Sequence, residues 1–244
     1  MVDPKTPLYR YIPFARFNQM LFSKELALMK PSKWDDEYEQ YWLRMIETPS
    51  GRAALRSYAE AAPGDRQYNV AFSQAICQIV FNLKYCLCFS SQKDSEVLWR
   101  ANSDGNKGIM FATTAEKLTS LFSEEYVATI KKVSYDLESN DLASFLSCIH
   151  FHPEGAGFSD TDSLLLHKRR FFSYENEVRL IVAPLAFSEN EILKVSIPEL
   201  SDFIDGVMVH PLATKEHVAL VELLCKHFSL PFLGRSKVYD FAPL

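Results

Sequence analysis

The stretch Tyr174–Pro184, YENEVRLIVAP, sets two glutamates one residue apart at the head of an apolar run. Read as a strand, its side chains alternate between faces. Glu175, Glu177 and Arg179 then share one face, while Val178, Leu180 and Val182 share the other. An apolar face with a charged opposite face predicts a sheet packed on one side. The charged face is either a solvated edge or half of an active site.

Working outward, the chain reads as short strands separated by helices and turns. LYRYI forms an aromatic strand that Pro13 ends, since proline cannot donate to a ladder. FARFNQMLFSKE repeats apolar residues at helical spacing, and ELALMK reads as a strand closed by Pro31. From Trp34 to about Phe81 the pattern is helical, which predicts a helical insert over about 34–82. KYCLCFSS, GIMFAT, ATIKKVSY, ILKVSI, IDGVMVH and SKVYDF read as further strands. SEVLWRAN, DLASFLSCIHF, SLLLHKRRFF and TKEHVALVELLCKHF read as helices. Strands not regularly wound with helices predict an α+β domain on antiparallel sheets, with residues 1–244 as a single domain. No GxGxxG or Walker-type string occurs, so neither phosphate cradle of those kinds is indicated.

Composition bounds the function classes. The 244 residues are 48% hydrophobic with a net charge of −5 and a pI near 5.7. Lysines and arginines are scattered except in HKRR, His167–Arg170, so a general nucleic-acid surface is not expected. HKRR itself reads as a solvated helix end, or as a cluster for phosphate or an acceptor. Five cysteines without a pairing pattern fit a reducing compartment, and no long apolar run suggests a membrane span, so a cytoplasmic location is expected. Cys148, His150 and His152 alternate, but a structural zinc site needs a fourth ligand and none stands out. No metal is expected.

Three further features could belong to a site. Arg10 lies between Tyr9 and Tyr11 in the first strand, pointing away from both; Tyr9 and Tyr11 are core candidates. Ser90 and Ser91 close the CLCFSS strand, where hydroxyls commonly cap a following helix. Trp99 in VLWRAN is either core or a ring that stacks on a ligand. Each has an ordinary structural reading: a solvated arginine, a capping serine, a packed tryptophan.

Taken in order, arginine in a first strand, serine ending a middle strand and E-x-E opening a later one resemble the motif of one branch of the ADP-ribosyltransferases. The chain also resembles the bacterial domain of unknown function family 2971. The shared motifs are LYRY, PSKWDDEYE, CFSS with LWRAN, GIMF, and HKRRFFSYENEVRL, which together span almost the whole chain. It departs from that family in carrying Asn102, where a tyrosine often stands three residues after the tryptophan. FSSQ likewise matches the broader group's S-T-S only loosely.

The resemblance implies an ADP-ribosyltransferase-like split β-sandwich of two antiparallel or mixed sheets, with NAD in the cleft between them. It implies that Glu177 stabilises the oxocarbenium-like ribose centre and that Glu175 orients or deprotonates the nucleophile. Arg10 would hold a phosphate, Ser90, with Ser91 beside it, would position ribose and glutamate, and Phe172 or Tyr174 would flank the nicotinamide. Trp99 is the possible ring contact. Three functions stay open: a mono-ADP-ribosyltransferase using NAD and a macromolecular acceptor, an NAD glycohydrolase, and a catalytically silent nucleotide- or protein-binding domain.

Overall fold

A computed structural model describes residues 2–34, 39, 48–50, 52–53, 57, 78–135 and 161–240. Nine strands join one branched, mixed sheet. They are β1 (Pro7–Pro13), β2 (Glu25–Met29), β3 (Tyr85–Ser90), β4 (Gly108–Thr114), β5 (Tyr126–Lys132), β6 (Glu177–Pro184), β7 (Ile192–Ser196), β8 (Gly206–Val209) and β9 (Phe232–Arg235). Helices whose bounds lie wholly among the described residues are α1 (Phe14–Ser23), α2 (Glu96–Asn102), α3 (Ala115–Thr119), α4 (Leu200–Phe203) and α5 (Lys215–His227).

The sheet divides at β3. Its last residue pairs with β1 at Tyr9↔Ser90, and its other end pairs with β2 at Met29↔Cys86. One half runs β5-β6-β3-β2-β7 and the other β1-β4-β8-β9; among the described strands only β8 and β9 pair in parallel. The fork between β1 and β2 is bridged in sequence by α1. A left-handed Lys24, at φ 50°, ends that helix and turns the chain into β2. The architecture is α+β with a split sheet, as short strands not regularly wound with helices predict.

Pleat and register sort the side chains. Tyr85, Leu87 and Phe89 of β3 pair with Val182, Leu180 and Val178 of β6. All six lie in the main core, with Phe17, Met20 and Leu21 of α1 and Val221 and Cys225 of α5. The opposite face carries Cys86, Cys88, Ser90, Glu177 and Arg179. A second, smaller core lies on that face of the other half: Tyr11, Leu98, Trp99, Met110 and Met208. Hydroxyl side chains start three helices: Ser95 accepts from the Leu98 N–H, Thr114 from Lys117 and Thr214 from His217. Ser90 and Ser91 cap none of them.

Three local readings differ from the structure. SLLLHKRRFF is not one helix. Two 3-10 turns, Thr161–Leu165 and Arg170–Glu175, flank an extended segment that bridges to Ser134. The periodicity is of three rather than 3.6, which a short apolar run does not distinguish. The late strand is Phe232–Arg235, not SKVYDF, because Ser236 turns away to bond Asp94. The helical insert falls mostly outside the described residues, although residues 78–83 are helical. DLASFLSCIHF lies wholly outside them. No helix among the described residues is long and apolar enough to cross a membrane.

Trp99 is fully buried, edge-on to Tyr11 at 4.9 Å, with its indole N–H donated to Asp94 at 2.9 Å. Trp99→Ala should cost about 3–5 kcal/mol, read as a lower midpoint with unchanged slope in urea unfolding. A loss below about 1 kcal/mol would mean that this second core does not support the sheet.

Candidate functional site

The E-x-E segment is not a continuous strand. Arg170–Glu175 forms a 3-10 turn, Asn176 takes a left-handed conformation at φ 42°, and β6 begins at Glu177. Asparagine tolerates that conformation better than most residues. It is also anchored: the Asn176 carbonyl accepts from the Ser91 N–H at 3.0 Å and its hydroxyl at 3.1 Å, and the Asn176 amide donates to Gln92 at 2.9 Å. Glu175 and Glu177 therefore do not share a face by strand pleat, as the sequence predicts. Lys168 brings them together instead.

The Lys168 ammonium lies 2.6 Å from Glu175, 2.9 Å from Glu39 and 3.2 Å from Glu177. Arg179 lies 2.6 Å from Glu177 and 3.2 Å from Glu39, and its guanidinium sits 4.4 Å from the Trp34 ring centroid. Remaining donors are also placed. Arg179 donates to the Leu165 carbonyl, and the Glu177 N–H donates to the Tyr135 hydroxyl at 2.8 Å. Among the described residues this cluster sets three carboxylates against two cations. One negative charge is left over.

The two glutamates of the motif are driven apart in acidity. Burial raises the Glu177 carboxyl, but Arg179 and Lys168 outweigh it and hold its pKa at about 2. Glu175 is raised by burial, with Lys168 only partly opposing, and the Glu177 and Glu39 charges add to the rise. Burial pulls Lys168 down, yet the carboxylates of Glu177, Glu39 and Glu175 raise it well above a free lysine. Glu177 is thus a fixed charge and Glu175 a titrating one.

Accessibility divides them the same way. Glu177 is 3% exposed and Arg179 1%; Glu175 is half-buried at the cluster's rim. The polar face of β6 is therefore not a wet face. Packed 3-10 segments and Glu39 cover it, which overturns the solvated-edge reading. HKRR is likewise no solvated helix end, because Lys168 is buried at the centre of the cluster.

The other sequence-predicted residues divide between this side and the opposite one. Ser90 is buried; its hydroxyl donates to the Glu175 carbonyl at 2.7 Å and accepts from the Gln92 N–H at 3.0 Å. It fixes the turn that carries Glu175. Ser91 is exposed and tied to Asn176. Phe172 is half-buried, with the Lys168 ammonium 4.9 Å and the Arg169 guanidinium 5.0 Å from its ring centroid, and Tyr174 tilts against it at 6.3 Å. Trp99 is core, sealed by Tyr11 and His210, and offers no face to a ligand.

Arg10 is not part of the cluster. Tyr9 pairs with Ser90 and shares its face, so the next side chain emerges on the other face. There Arg10 lies 5.8 Å from the Phe89 ring centroid and donates to the Cys88 carbonyl across the fork. The three motif strands are neighbours in the order β6-β3-β1, but the arginine and the glutamates open on opposite sides.

Sequence reasoning passed over Glu39 and Tyr135 as site residues, and weighed Lys168 only as part of HKRR. One signal was available for Lys168: the basic HKRR precedes the acidic ENE closely enough to fold back on it. Among the described residues no group of histidine, cysteine and acidic side chains is gathered to hold a metal. Cys148, His150 and His152 lie outside the described residues.

Solved structures that align with the chain are of Thermus sp. 2.9 DarT. The complex with NAD+ is 12% identical, over 99% of this chain and 100% of that one, at a TM-score of 0.40. The complex with carba-NAD+ is 11% identical over 99% and 100%, also at 0.40. The complex with ADP-ribosylated ssDNA is 11% identical over 98% of each chain, again at 0.40. No family model and no curated protein matches the chain. At that TM-score the likeness decides neither fold nor reaction.

Glu177→Gln should destabilise the fold, because it removes the carboxylate nearer to Arg179 and leaves Glu39 as the carboxylate that Arg179 and Lys168 share. The pH dependence follows from the depressed acidity. Moving the carboxyl from 4.5 to about 2 corresponds to about 3 kcal/mol, present above pH 4.5 and lost as pH falls through 2. Urea unfolding from pH 7 to pH 2 should show this loss in the parent and a flatter profile in the variant. Equal slopes would remove Glu177 from the account of acid stability.

Proposed function

We propose that the cluster of Lys168, Glu175 and Glu177 handles the ribosyl centre of NAD, cleaving the nicotinamide N-glycosidic bond and transferring ADP-ribose to a macromolecular acceptor. The observation that carries this reading is the pair of adjacent glutamates held on one lysine with their acidities displaced in opposite directions. Two carboxyls whose environments separate them in this way are suited to separate roles. The sequence motifs that resemble family 2971 and the ADP-ribosyltransferases support the same reading.

In the reaction the bond between the ribose anomeric carbon and nicotinamide breaks, its electron pair leaving with a neutral nicotinamide. The sugar is left with oxocarbenium character. The cluster's excess negative charge favours that cation, and Glu177 supplies a charge that stays ionised throughout. An acceptor lone pair then bonds to the anomeric carbon, and Glu175 takes the acceptor's proton. A raised pKa in a half-exposed carboxyl suits a general base. Phe172 and Tyr174 form the aromatic wall beside Lys168, and Ser90 positions Glu175 through its carbonyl.

One observation favours a silent binding domain instead: Glu177 is sealed and cation-paired on both of its oxygens. Incubating pure protein with labelled NAD and a cell lysate divides the readings. Transferase activity predicts released nicotinamide with label on a macromolecule, and hydrolase activity predicts nicotinamide alone. Glu175→Gln should lower transfer by about 10²–10⁴-fold, and hydrolysis less, while the fold is kept. No nicotinamide from the parent, or equal transfer by the variant, would overturn the proposal.

A further inference from the structure

Helix α5 turns one stripe, His217, Val221 and Cys225, inward to buried surroundings. About a third of a revolution away runs a second stripe that faces solvent: Glu216, Leu220, Leu223 and His227. At 100° per residue these four lie within about 60° of one another. Leu220 is 45% exposed and Leu223 65%, where an amphipathic surface helix ordinarily carries polar residues. Lys215, Glu222 and Lys226 supply that ordinary solvated surface on the other flank. The apolar strip also extends past both ends of the helix. Phe22 of α1, 64% exposed, stands edge-on to Phe228 at 5.3 Å just after the last turn, and Leu212, 54% exposed, precedes the first.

The stripe reads the same in both directions. Successive members are separated by four, three and four residues. A two-fold axis crossing the helix between Leu220 and Leu223 therefore lays each Leu220 against the Leu223 of a second copy, and each Glu216 against the second copy's His227. The charges fit only that direction. Glu216 stands in the first turn of α5, and Lys226 and His227 stand in the last. Antiparallel packing brings the carboxylate of each copy to the basic end of the other and sets the two helix dipoles head to tail. Parallel packing would set Glu216 on Glu216 and Lys226 on Lys226. The same rotation carries Phe22, at the end of α5, toward the end where Leu212 is exposed, so apolar surface meets apolar surface there as well.

Size sets the strength. A helix of 13 residues is about 20 Å long, and one pair of them with its flanking side chains sits at the small end of a scale on which stable interfaces bury about 1,200–2,000 Å². The contact is therefore a reversible association of folded chains. Leucines at its centre and charges at its ends match the usual layout of an apolar core within a polar rim.

We infer that the exposed stripe of α5 is a self-association surface, on which two copies of this chain pair their α5 helices antiparallel about a two-fold axis. Leu220 and Leu223 form its centre, and Glu216 meets Lys226 and His227 at each end. A closed two-fold contact uses up the stripe on both copies, so it makes a dimer and no filament. The inference is independent of the reading of the Lys168 cluster, with which it shares no residue.

Sedimentation velocity on the full chain, from about 1 to 300 µM, covers the affinities expected of so small an interface. The expected result is a reversible monomer–dimer equilibrium. Leu223→Glu should weaken it at least about tenfold, because it places a charge at the apolar centre. Leu223 is exposed, so circular dichroism of the dilute variant should match the parent. Glu216→Lys should weaken association by about threefold to tenfold, since each dimer holds two such contacts of ordinary surface strength. Adding Lys226→Glu to it should restore most of the loss. Glu216 and Lys226 lie about 15 Å apart along one helix, too far to pair within a copy, so rescue reports on pairing between copies. A chain that stays monomeric throughout the range would overturn the inference, even if it takes up a different protein through Leu223. So would a dimer that Leu223→Glu leaves intact, or one that Glu216→Lys does not weaken or the charge swap does not restore.

Discussion

A buried lysine that satisfies three carboxylates is the interaction on which the rest of this structure depends. An ammonium so enclosed is costly to desolvate and persists only where opposite charges surround it. Lys168 meets that condition by drawing Glu39, Glu175 and Glu177 from three separate segments. Arg179 closes the circuit from the strand itself. Two 3-10 turns, a left-handed asparagine and the start of β6 are all placed by the need to bring these groups within ion-pair distance. The geometry that stabilises the fold here also leaves one carboxyl ionised under all ordinary conditions and its neighbour able to take a proton.

The split of the sheet gives this cluster its surroundings. Because β3 pairs with β1 at one end and β2 at the other, its two faces meet different environments. One face carries thiols, a serine and the ionic cluster; the other packs phenylalanines and leucines and then opens, in the fork, onto arginines. The pleat separates Arg10 from Glu177 although their strands lie only one strand apart. Residues that belong to one linear motif are thereby divided between two chemical settings, and a role inferred from the motif has to be checked against the face each side chain leaves from.

Much of the framework was legible in the sequence. The strands of LYRYI, CLCFS, GIMFAT and IVAP, and the helix after Thr214, follow from apolar period and from punctuation such as Pro13, Pro184 and the capping Thr114 and Thr214. Motif order grouped the arginine with the serine and glutamates, but the pleat sends Arg10 to the opposite face from Ser90 and Glu177. Other features were not legible, for identifiable reasons. The 3-10 turns share apolar spacing with a helix. The turn at Asn176 is hidden inside an apparently regular alternation. The burial of Glu177 depends also on Glu39, which approaches from a distant segment and leaves no local trace. Trp99 illustrates the reverse case: its packing role was one of two readings, and only the closeness of Tyr11 and His210 decides it.

The central claim is that the glutamates of one motif are held at opposed acidities by a shared lysine. Carbon-13 NMR of the side-chain carboxyls, assigned by comparison with Glu175→Gln and Glu177→Gln and followed from pH 7 downward, measures this directly. The account predicts that Glu175 titrates above the ordinary glutamate value of 4.5 and that Glu177 remains ionised until about pH 2. Both carboxyls titrating together near 4.5 would contradict it, and would leave the cluster without the division of roles on which the proposed chemistry rests.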